Sequence, residues 1–147
     1  MRYILGNQVI ELHDIIISEF WGFEWIKNKW QLQSVLDHIK NDDFYPTLVD
    51  KVVHLFFGIN RFHCFNDGNK RTSIMVTYLF LKRNGYNIKD FVEKMEDIAV
   101  EVAASKKWKD ELIIFFTKLF SEEWIPNELE IINQIQKEIH KIRKKIP

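Results

Sequence analysis

The chain has 147 residues, and its 21 Lys+Arg are balanced by 21 Asp+Glu, so its formal net charge is zero at pH 7 with His neutral. A balanced charge gives no overall field to attract nucleic acid, and we expect no nucleic-acid partner. Five Gly and three Pro are few for a turn-rich β-fold, whereas 46% hydrophobic residues suffice for a core, so the composition favours an all-α protein. The length suits a single domain covering residues 1–147.

The compartment is indicated by cysteine usage and by the apolar segments. Cys64 is the only cysteine, which excludes an internal disulfide framework and fits a reducing environment. The start of the sequence has no basic segment followed by an apolar one, the pattern of a secretion signal. No uncharged apolar run reaches the 18 residues typical of a membrane-spanning helix. These features predict a soluble, cytoplasmic protein.

Apolar residues at helical spacing predict helices along most of the chain. Residues 9–20 form an amphipathic pattern that ends near Gly22. Residues 22–43 have no sustained helical period in their first half, where we expect a loop or a short hairpin, and a short helix could cover 32–39. Thr47, with Asp50 three residues later, has the pattern of a helix N-cap. The later predicted helices cover residues 47–62, 72–84, 89–104 and 109–120.

Residues 124–146 predict an amphipathic C-terminal helix with a heptad pattern. Its isoleucines recur every seven residues, with a second set at the intermediate position: Ile125, Ile132, Ile139 and Ile146, then Ile135 and Ile142. The helix either packs on its own domain or presents a surface to a partner helix or a second copy. Three heptads leave both interpretations open, so an oligomer formed through this helix is one of them.

The polar segment 63–71 lies between two predicted buried helices and concentrates reactive side chains. Phosphate recognition needs backbone N–H groups, preferably at a helix N-terminus, with a cation close by. Gly68 allows a tight turn, and Asn69 supplies side-chain donors. Lys70 and Arg71 oppose the dipole of the following helix unless an anion binds there, a local conflict expected at functional sites.

Two further side chains of this segment have the chemistry for transfer to a hydroxyl group. Asp67 is a hard oxygen ligand suited to a Mg²⁺ ion that bridges phosphates. His63 has the chemistry to accept a proton from an attacking hydroxyl. Each residue alone has an ordinary structural explanation, as a capping histidine or part of a turn. The ordered set points instead to a nucleotide-phosphate site.

Residues 63–72, His-Cys-Phe-Asn-Asp-Gly-Asn-Lys-Arg-Thr, resemble the signature of the Fic/Doc family, His-x-Phe-x-Asp-(Ala/Gly)-Asn-Lys-Arg. Residues 78–85 resemble the end of the family's next helix. Looser similarity at Leu12-His13-Asp14 and at 32–46, where the family has a substrate-docking flap, extends the resemblance over about residues 9–120. The resemblance implies an all-α, Fic/Doc-type helical domain with a short β-hairpin flap near the active loop.

The family resemblance also implies an activity and the residues that perform it. The activity is the transfer of part of a nucleotide to a protein hydroxyl, with ATP as co-substrate and Mg²⁺ as cofactor. By position, the resemblance implies His63 as general base and Asp67 as metal ligand. It further implies a phosphate-binding group formed by Gly68, Asn69, Lys70 and Arg71.

The choice of branch within the family depends on two positions. The AMP-transferring branch typically has Gly where this chain has Lys70, and a second Arg where it has Ile74. With Lys70 and Ile74 at these positions, the chain resembles the Doc toxins of toxin–antitoxin pairs. Those toxins phosphorylate a threonine of elongation factor Tu and arrest translation. The leading hypothesis is a Doc-like kinase that transfers the γ-phosphate of ATP. The alternatives are a Fic-type transferase of AMP or another NMP, and a catalytically silent binding module.

The sequence also bears on how the activity is regulated. Many members of the family carry a self-inhibitory motif in which a Glu follows a Ser or Thr by four residues. No Ser or Thr of this chain has Glu at that spacing. The resemblance therefore implies restraint by a separate antitoxin, which acts in trans.

Overall fold

The structure is a computed structural model that describes residues 1–20 and 26–145. Within these residues the chain forms six α-helices and no extended strand, as expected for an all-α protein. The helices are α1 (Gly6–Phe20), α2 (Lys29–His38), α3 (Leu48–Arg61), α4 (Asn69–Arg83), α5 (Phe91–Ala103) and α6 (Lys109–Lys145). No helix in the described part of the chain is both long and apolar enough to cross a membrane.

Helix α3 is the centre of the fold. The predicted cap is present, because Thr47 Oγ1 accepts from the Asp50 backbone N–H at 3.1 Å and Asp50 Oδ2 accepts from the Thr47 backbone N–H at 3.2 Å. Every residue from 51 to 60 is buried, since α2, α4, α5 and α6 all pack around this helix. The sequence prediction of a central buried helix is confirmed. Its C-terminal end therefore delivers the following loop from a rigid support.

Close packing of α2 on α3 depends on one glycine. A Cβ atom at Gly58 would lie 2.7 Å from Val35 Cγ2, nearer than side-chain carbon atoms approach. The core continues through four fully buried phenylalanines, and the Phe56 ring meets the Phe116 ring edge-on with centroids 6.1 Å apart. The phenylalanines of this group are Phe56, Phe65, Phe80 and Phe116. Phe65 belongs to the polar loop, so the loop is anchored directly in the core.

Helix α4 begins at Asn69, three residues before the predicted start at Thr72. Gly68 has φ 78°, a left-handed conformation that glycine adopts without steric cost, and its carbonyl accepts the Thr72 N–H at 2.9 Å. Asn69, Lys70 and Arg71 therefore form the first turn of α4. This arrangement places the two cations next to the first backbone N–H groups of the helix.

The expected β-hairpin flap is not seen in the described residues. The chain from Lys29 to His38 is helical, because the Asn28 side chain accepts the Gln31 N–H at 3.0 Å and apolar residues recur on the buried face of α2. What remains of strand pairing is one antiparallel bridge between Ile26 and Phe65. Residues 21–25, which belong to the segment where a hairpin was predicted, lie outside the described residues.

The helices predicted at 109–120 and 124–146 are continuous in α6, Lys109–Lys145. The first part of α6 packs on α3 through the buried Leu112 and Phe116. In the second part, four isoleucines of the heptad pattern are about half exposed: Ile132 49%, Ile135 53%, Ile139 51% and Ile142 55%. These four side chains are therefore not buried against the helices described here. Ile125 and Ile146, the other two members, lie outside the residues whose side chains are described.

Candidate active site

The site is built on residues 62–68, the connection between α3 and α4. α3 closes with a hydrogen bond from the Phe62 N–H to the Gly58 carbonyl at 3.0 Å. His63 follows with φ 50°, a left-handed conformation that costs energy for a residue with a side chain. The chain reverses direction again at Gly68. Strain of this type persists only where the surrounding contacts hold the loop in place.

Asn69 provides one of these contacts by closing the loop with its carboxamide. Its Oδ1 accepts the Phe65 N–H at 3.1 Å, and its Nδ2 donates to the Phe65 carbonyl at 2.9 Å. The sequence predicted Asn69 as a donor to phosphate. In the structure its side chain satisfies both backbone groups of Phe65, so the residue lies at the site and also shapes it.

The other side of the loop is held by the segment that precedes α2. The Lys27 and Asn28 N–H groups both donate to the Cys64 carbonyl, at 2.9 and 3.0 Å. The Cys64 side chain is fully buried, and burial raises the pKa of its thiol to about 11. The thiol is therefore protonated at neutral pH and cannot act as a nucleophile.

The N-terminus of α4 has the properties of an anion-binding site. Its N-cap residue, Gly68, has no side chain to satisfy the first N–H groups, and the first turn contains no acidic residue. Lys70 and Arg71 are exposed in that turn. A helix N-terminus carries a partial positive charge, and cations in its first turn add to that charge, so the terminus favours an anion. Phosphate groups fit this site because they satisfy the N–H groups and neutralise the cations together.

A cavity of about 820 Å³ opens at this helix terminus, within the size range of small-molecule sites. All six predicted site residues line it: His63, Asp67, Gly68, Asn69, Lys70 and Arg71. Apolar side chains of α4 and α5, including Met75, Val92 and Val100, form other parts of the wall. The cavity is thus polar where phosphates would lie and apolar elsewhere, a combination suited to a nucleotide.

The carboxylate of Asp67 fits the requirements of a Mg²⁺ ion. Its Oδ1 accepts the Gly68 N–H at 2.8 Å, and its Oδ2 can take a cation. No group of three or more His, Cys, Asp or Glu capable of holding a metal occurs in the described residues. Mg²⁺ does not need such a cage, because it binds one or two carboxylates together with substrate phosphates and water. Asp67 supplies one carboxylate beside a helix terminus that is suited to phosphate.

Two polar residues of the cavity come from outside the predicted segment 63–71. Asn60, buried in α3, donates to the Ala99 carbonyl at 3.0 Å and so ties α3 to α5, while its Oδ1 has no hydrogen-bond partner. Glu96 enters the lining from α5. Neither belongs to the motif, because both come from helices that reach the loop only through tertiary packing. Asn60 carried one usable signal, since it is a polar residue that directly follows the apolar run 55–59 of the predicted helix.

The model of the Fic/DOC family matches residues 3–81, more than half of the chain, and the chain therefore belongs to the Fic/DOC family. The matched region contains the entire polar loop. Among known proteins, the chain is similar to the protein named Protein kinase doc of Escherichia phage P1. The two are 29% identical over 109 residues, which cover 72% of this chain and 86% of the phage protein.

Proposed function

We propose that this chain is a Doc-like protein kinase, which transfers the γ-phosphate of ATP to a hydroxyl group of a target protein. One observation carries the proposal: the uncapped, doubly cationic N-terminus of α4 opens into the cavity that Asp67 and His63 also line. The similarity to a phage protein kinase supports phosphate as the transferred group. The proposal also names ATP and Mg²⁺ as co-substrate and cofactor.

In this proposal each residue of the site has a role that follows from its chemistry. His63, exposed at the end of α3, accepts the proton of the target hydroxyl as its oxygen attacks the γ-phosphorus, and the bond from that phosphorus to the β-phosphate oxygen breaks to release ADP. The N–H groups of the α4 terminus, with Lys70 and Arg71, hold the phosphates. Asp67 holds Mg²⁺, which neutralises phosphate charge when bound.

Lys70 supports the choice of a kinase over a nucleotidyl transferase. Lys70 lines the cavity from the first turn of α4, where a glycine would bring neither a charge nor a side chain. An added cation and an added side chain change which phosphate of ATP the terminus binds best. We therefore propose that the γ-phosphate, and not the AMP unit, is delivered to the target.

The proposed partners follow from the Doc-like activity. We propose a threonine of elongation factor Tu as the acceptor, with arrest of translation as the result, which places the activity in the cytoplasm. A separate antitoxin restrains the enzyme in trans. The exposed isoleucines of α6 are a candidate surface for the antitoxin or for a second copy of the chain. Sedimentation of the purified chain and of Ile139→Glu tests the second copy, because a charge in the stripe would dissociate an oligomer.

The experiment that tests the function uses ATP labelled at the α or the γ phosphate. Purified chain is incubated with each nucleotide, Mg²⁺ and a bacterial lysate, beside a His63→Ala control. We expect label from the γ position alone, on a band of the size of elongation factor Tu, and none with the control. Label from the α position would instead indicate a nucleotidyl transferase. Transfer from neither, with several nucleotides, would favour a silent binding module.

A further inference from the structure

The side chain of His13 in α1 contacts three residues of the loop between α3 and α4. Its side chain is completely buried, and its ring stacks on the Phe65 ring with centroids 3.8 Å apart and an angle of 9° between the planes. Its Nε2 lies 2.7 Å from the carbonyl oxygen of Asp67. The ring also lies against Gly68, where a Cβ atom would be 3.5 Å from Nε2. One side chain thus contacts the anchor, the metal ligand and the helix cap of the site.

The hydrogen bond to Asp67 fixes how His13 carries its proton. A carbonyl oxygen only accepts, so Nε2 must bear the hydrogen and donate it. In the neutral ring Nδ1 is then an acceptor, yet it is buried and has no hydrogen-bond partner. Asp14 Oδ1 lies 3.6 Å from Nδ1, beyond hydrogen-bond distance but within the distance of an ion pair. An unpaired buried nitrogen is costly for stability, and such costs are retained where function needs the group.

The consequence for the site follows from the planarity of the peptide bond. In a trans peptide the C=O and N–H groups point in opposite directions within one plane. Since His13 draws the Asp67 carbonyl towards α1, the Gly68 N–H of the same peptide points away from α1. There it donates to Asp67 Oδ1 at 2.8 Å. The direction of this single peptide therefore orients the carboxylate that is assigned to Mg²⁺.

We propose that His13 is a positioning residue for the metal ligand, acting through the Asp67–Gly68 peptide. The imidazole holds that peptide in one orientation, and the peptide N–H holds the Asp67 carboxylate, which would bind the cation. The metal role of Asp67 rests on the proposed function, whereas the control of the peptide by His13 is a property of the ligand-free chain. Partners that orient metal ligands in this way typically contribute about 10–100-fold in metal affinity.

Two variants separate the hydrogen bond from the packing of the ring. His13→Phe preserves a ring that can stack on Phe65 but removes the donor. His13→Gln places an amide N–H near the position of Nε2 and so preserves the donor without the ring. Leu112→Ala, a core substitution on α6, serves as the control for general loss of stability. If His13→Phe does not fold, the smaller His13→Leu takes its place.

The first readout is the amide proton resonance of Gly68 in the ligand-free protein, followed by NMR through a pH titration. An amide that donates to a carboxylate shifts when that carboxylate ionises. We expect the Gly68 resonance to follow the titration in the parent chain, in His13→Gln and in Leu112→Ala, and to lose this response in His13→Phe. An unchanged response in His13→Phe, or loss of it in His13→Gln as well, would overturn the proposal.

The second readout is Mn²⁺ binding in the presence of a non-hydrolysable ATP analogue, measured by electron paramagnetic resonance. We expect the dissociation constant to rise by about 10–100-fold in His13→Phe and to stay near the parent value in His13→Gln. An equal rise in Leu112→Ala would refute a specific role of His13. Failure of the parent chain to bind Mn²⁺ with the analogue would contradict the proposed function instead, and the Gly68 titration would still decide the role of His13.

Discussion

The carboxamide of Asn69 makes two hydrogen bonds to the backbone of Phe65, one to its N–H at 3.1 Å and one to its carbonyl at 2.9 Å. The residue that begins α4 thereby closes the loop that precedes it. Since Phe65 is 1% exposed and packed in the core, the bonds connect the N-terminus of α4 to the fixed interior. The position of the helix N-terminus relative to His63 depends on this connection.

Replacing Asn69 should therefore damage both stability and activity. In Asn69→Ala the two backbone groups of Phe65 lose their partners, and we expect the free energy of unfolding to fall by about 1–3 kcal/mol in urea denaturation. We expect kcat/KM for phosphate transfer to fall by at least about 100-fold.

The matched control is Asn41→Ala, which also removes an Asn side chain that accepts a backbone N–H, from Asp43 at 3.0 Å, but in an exposed turn. It should change activity little. Full activity in Asn69→Ala would show that the loop holds its shape without this contact.

Asp67→Asn tests the metal role with the least change of shape. The amide oxygen can still accept the Gly68 N–H, so the loop should keep its fold and its thermal stability. Loss of the negative charge should weaken Mg²⁺ binding, and we expect the rate at a fixed Mg²⁺ concentration to fall by about 100-fold or more. Asp97→Asn, at an exposed position of α5, is the charge-matched control. If Asp67→Asn retained the Mg²⁺ dependence of the parent chain, the metal ligand would have to be another residue.

Lys70→Gly tests which group the site transfers. The variant removes a cation and a side chain from the first turn of α4 without removing backbone N–H groups. We expect γ-phosphate transfer to fall by at least about 10-fold, since a charge-assisted contact to phosphate is worth about 1.5–3 kcal/mol. Lys89→Gly, an exposed lysine that follows α4, is the control for a lost surface charge. Unchanged rate and unchanged transferred group in Lys70→Gly would show that Lys70 does not select the chemistry.

The stability of the fold should depend on pH through His54. Burial lowers the pKa of this histidine from 6.5 to about 3, with further contributions from Lys109 and His38. Its ring is surrounded by Lys109 Nζ at 2.7 Å, His38 Nδ1 at 3.2 Å and the Tyr45 hydroxyl at 3.3 Å. Because the folded pKa is depressed, the unfolded chain binds the proton more readily between pH 3 and 6.5. The stability contribution is therefore fully present above pH 6.5 and is lost as the pH falls.

Urea denaturation at several pH values measures this effect. From pH 7 to pH 5 the free energy of unfolding of the parent chain should fall by about 2 kcal/mol on account of His54 alone. In His54→Gln, which cannot titrate, the fall should be smaller by that amount. His140→Gln, at an exposed position of α6, provides the control for removing a histidine. Equal pH dependence in the parent chain and His54→Gln would contradict the assignment.

Local sequence signals predicted the parts of the fold that depend on short-range physics. The Thr47 cap could be predicted because a capping pair is only three residues apart. The burial of α3 could be predicted because its apolar residues form a nearly continuous segment. The start of α4 was placed three residues late, since its true cap is the left-handed Gly68 and has no capping side chain to read. The short helix predicted at 32–39 is present as α2, because its apolar face packs on α3. Part of the segment ahead of it, where the hairpin was predicted, lies outside the described residues.

In the candidate site, too, the residues that are close in sequence were predicted and the distant ones were not. The six motif residues are close in sequence, so one loop brings them to one cavity, although their assigned roles stay predictions. His13 and Glu96 arrive from α1 and α5, and their places depend on how helices far apart in sequence pack together. The match at Leu12-His13-Asp14 indicated that this segment resembles the family. It gave no sign that His13 donates to Asp67, because that contact spans 54 positions.

The central claim is the transfer of a phosphate from ATP to a protein hydroxyl, and the intact mass of the acceptor tests it most directly. Purified elongation factor Tu is incubated with the chain, ATP and Mg²⁺, with His63→Ala in parallel, and its mass is then measured. We expect the mass to rise by that of one phosphate, with no rise when the variant is used. The gain of an AMP unit, or an unchanged mass with the active chain, would contradict it.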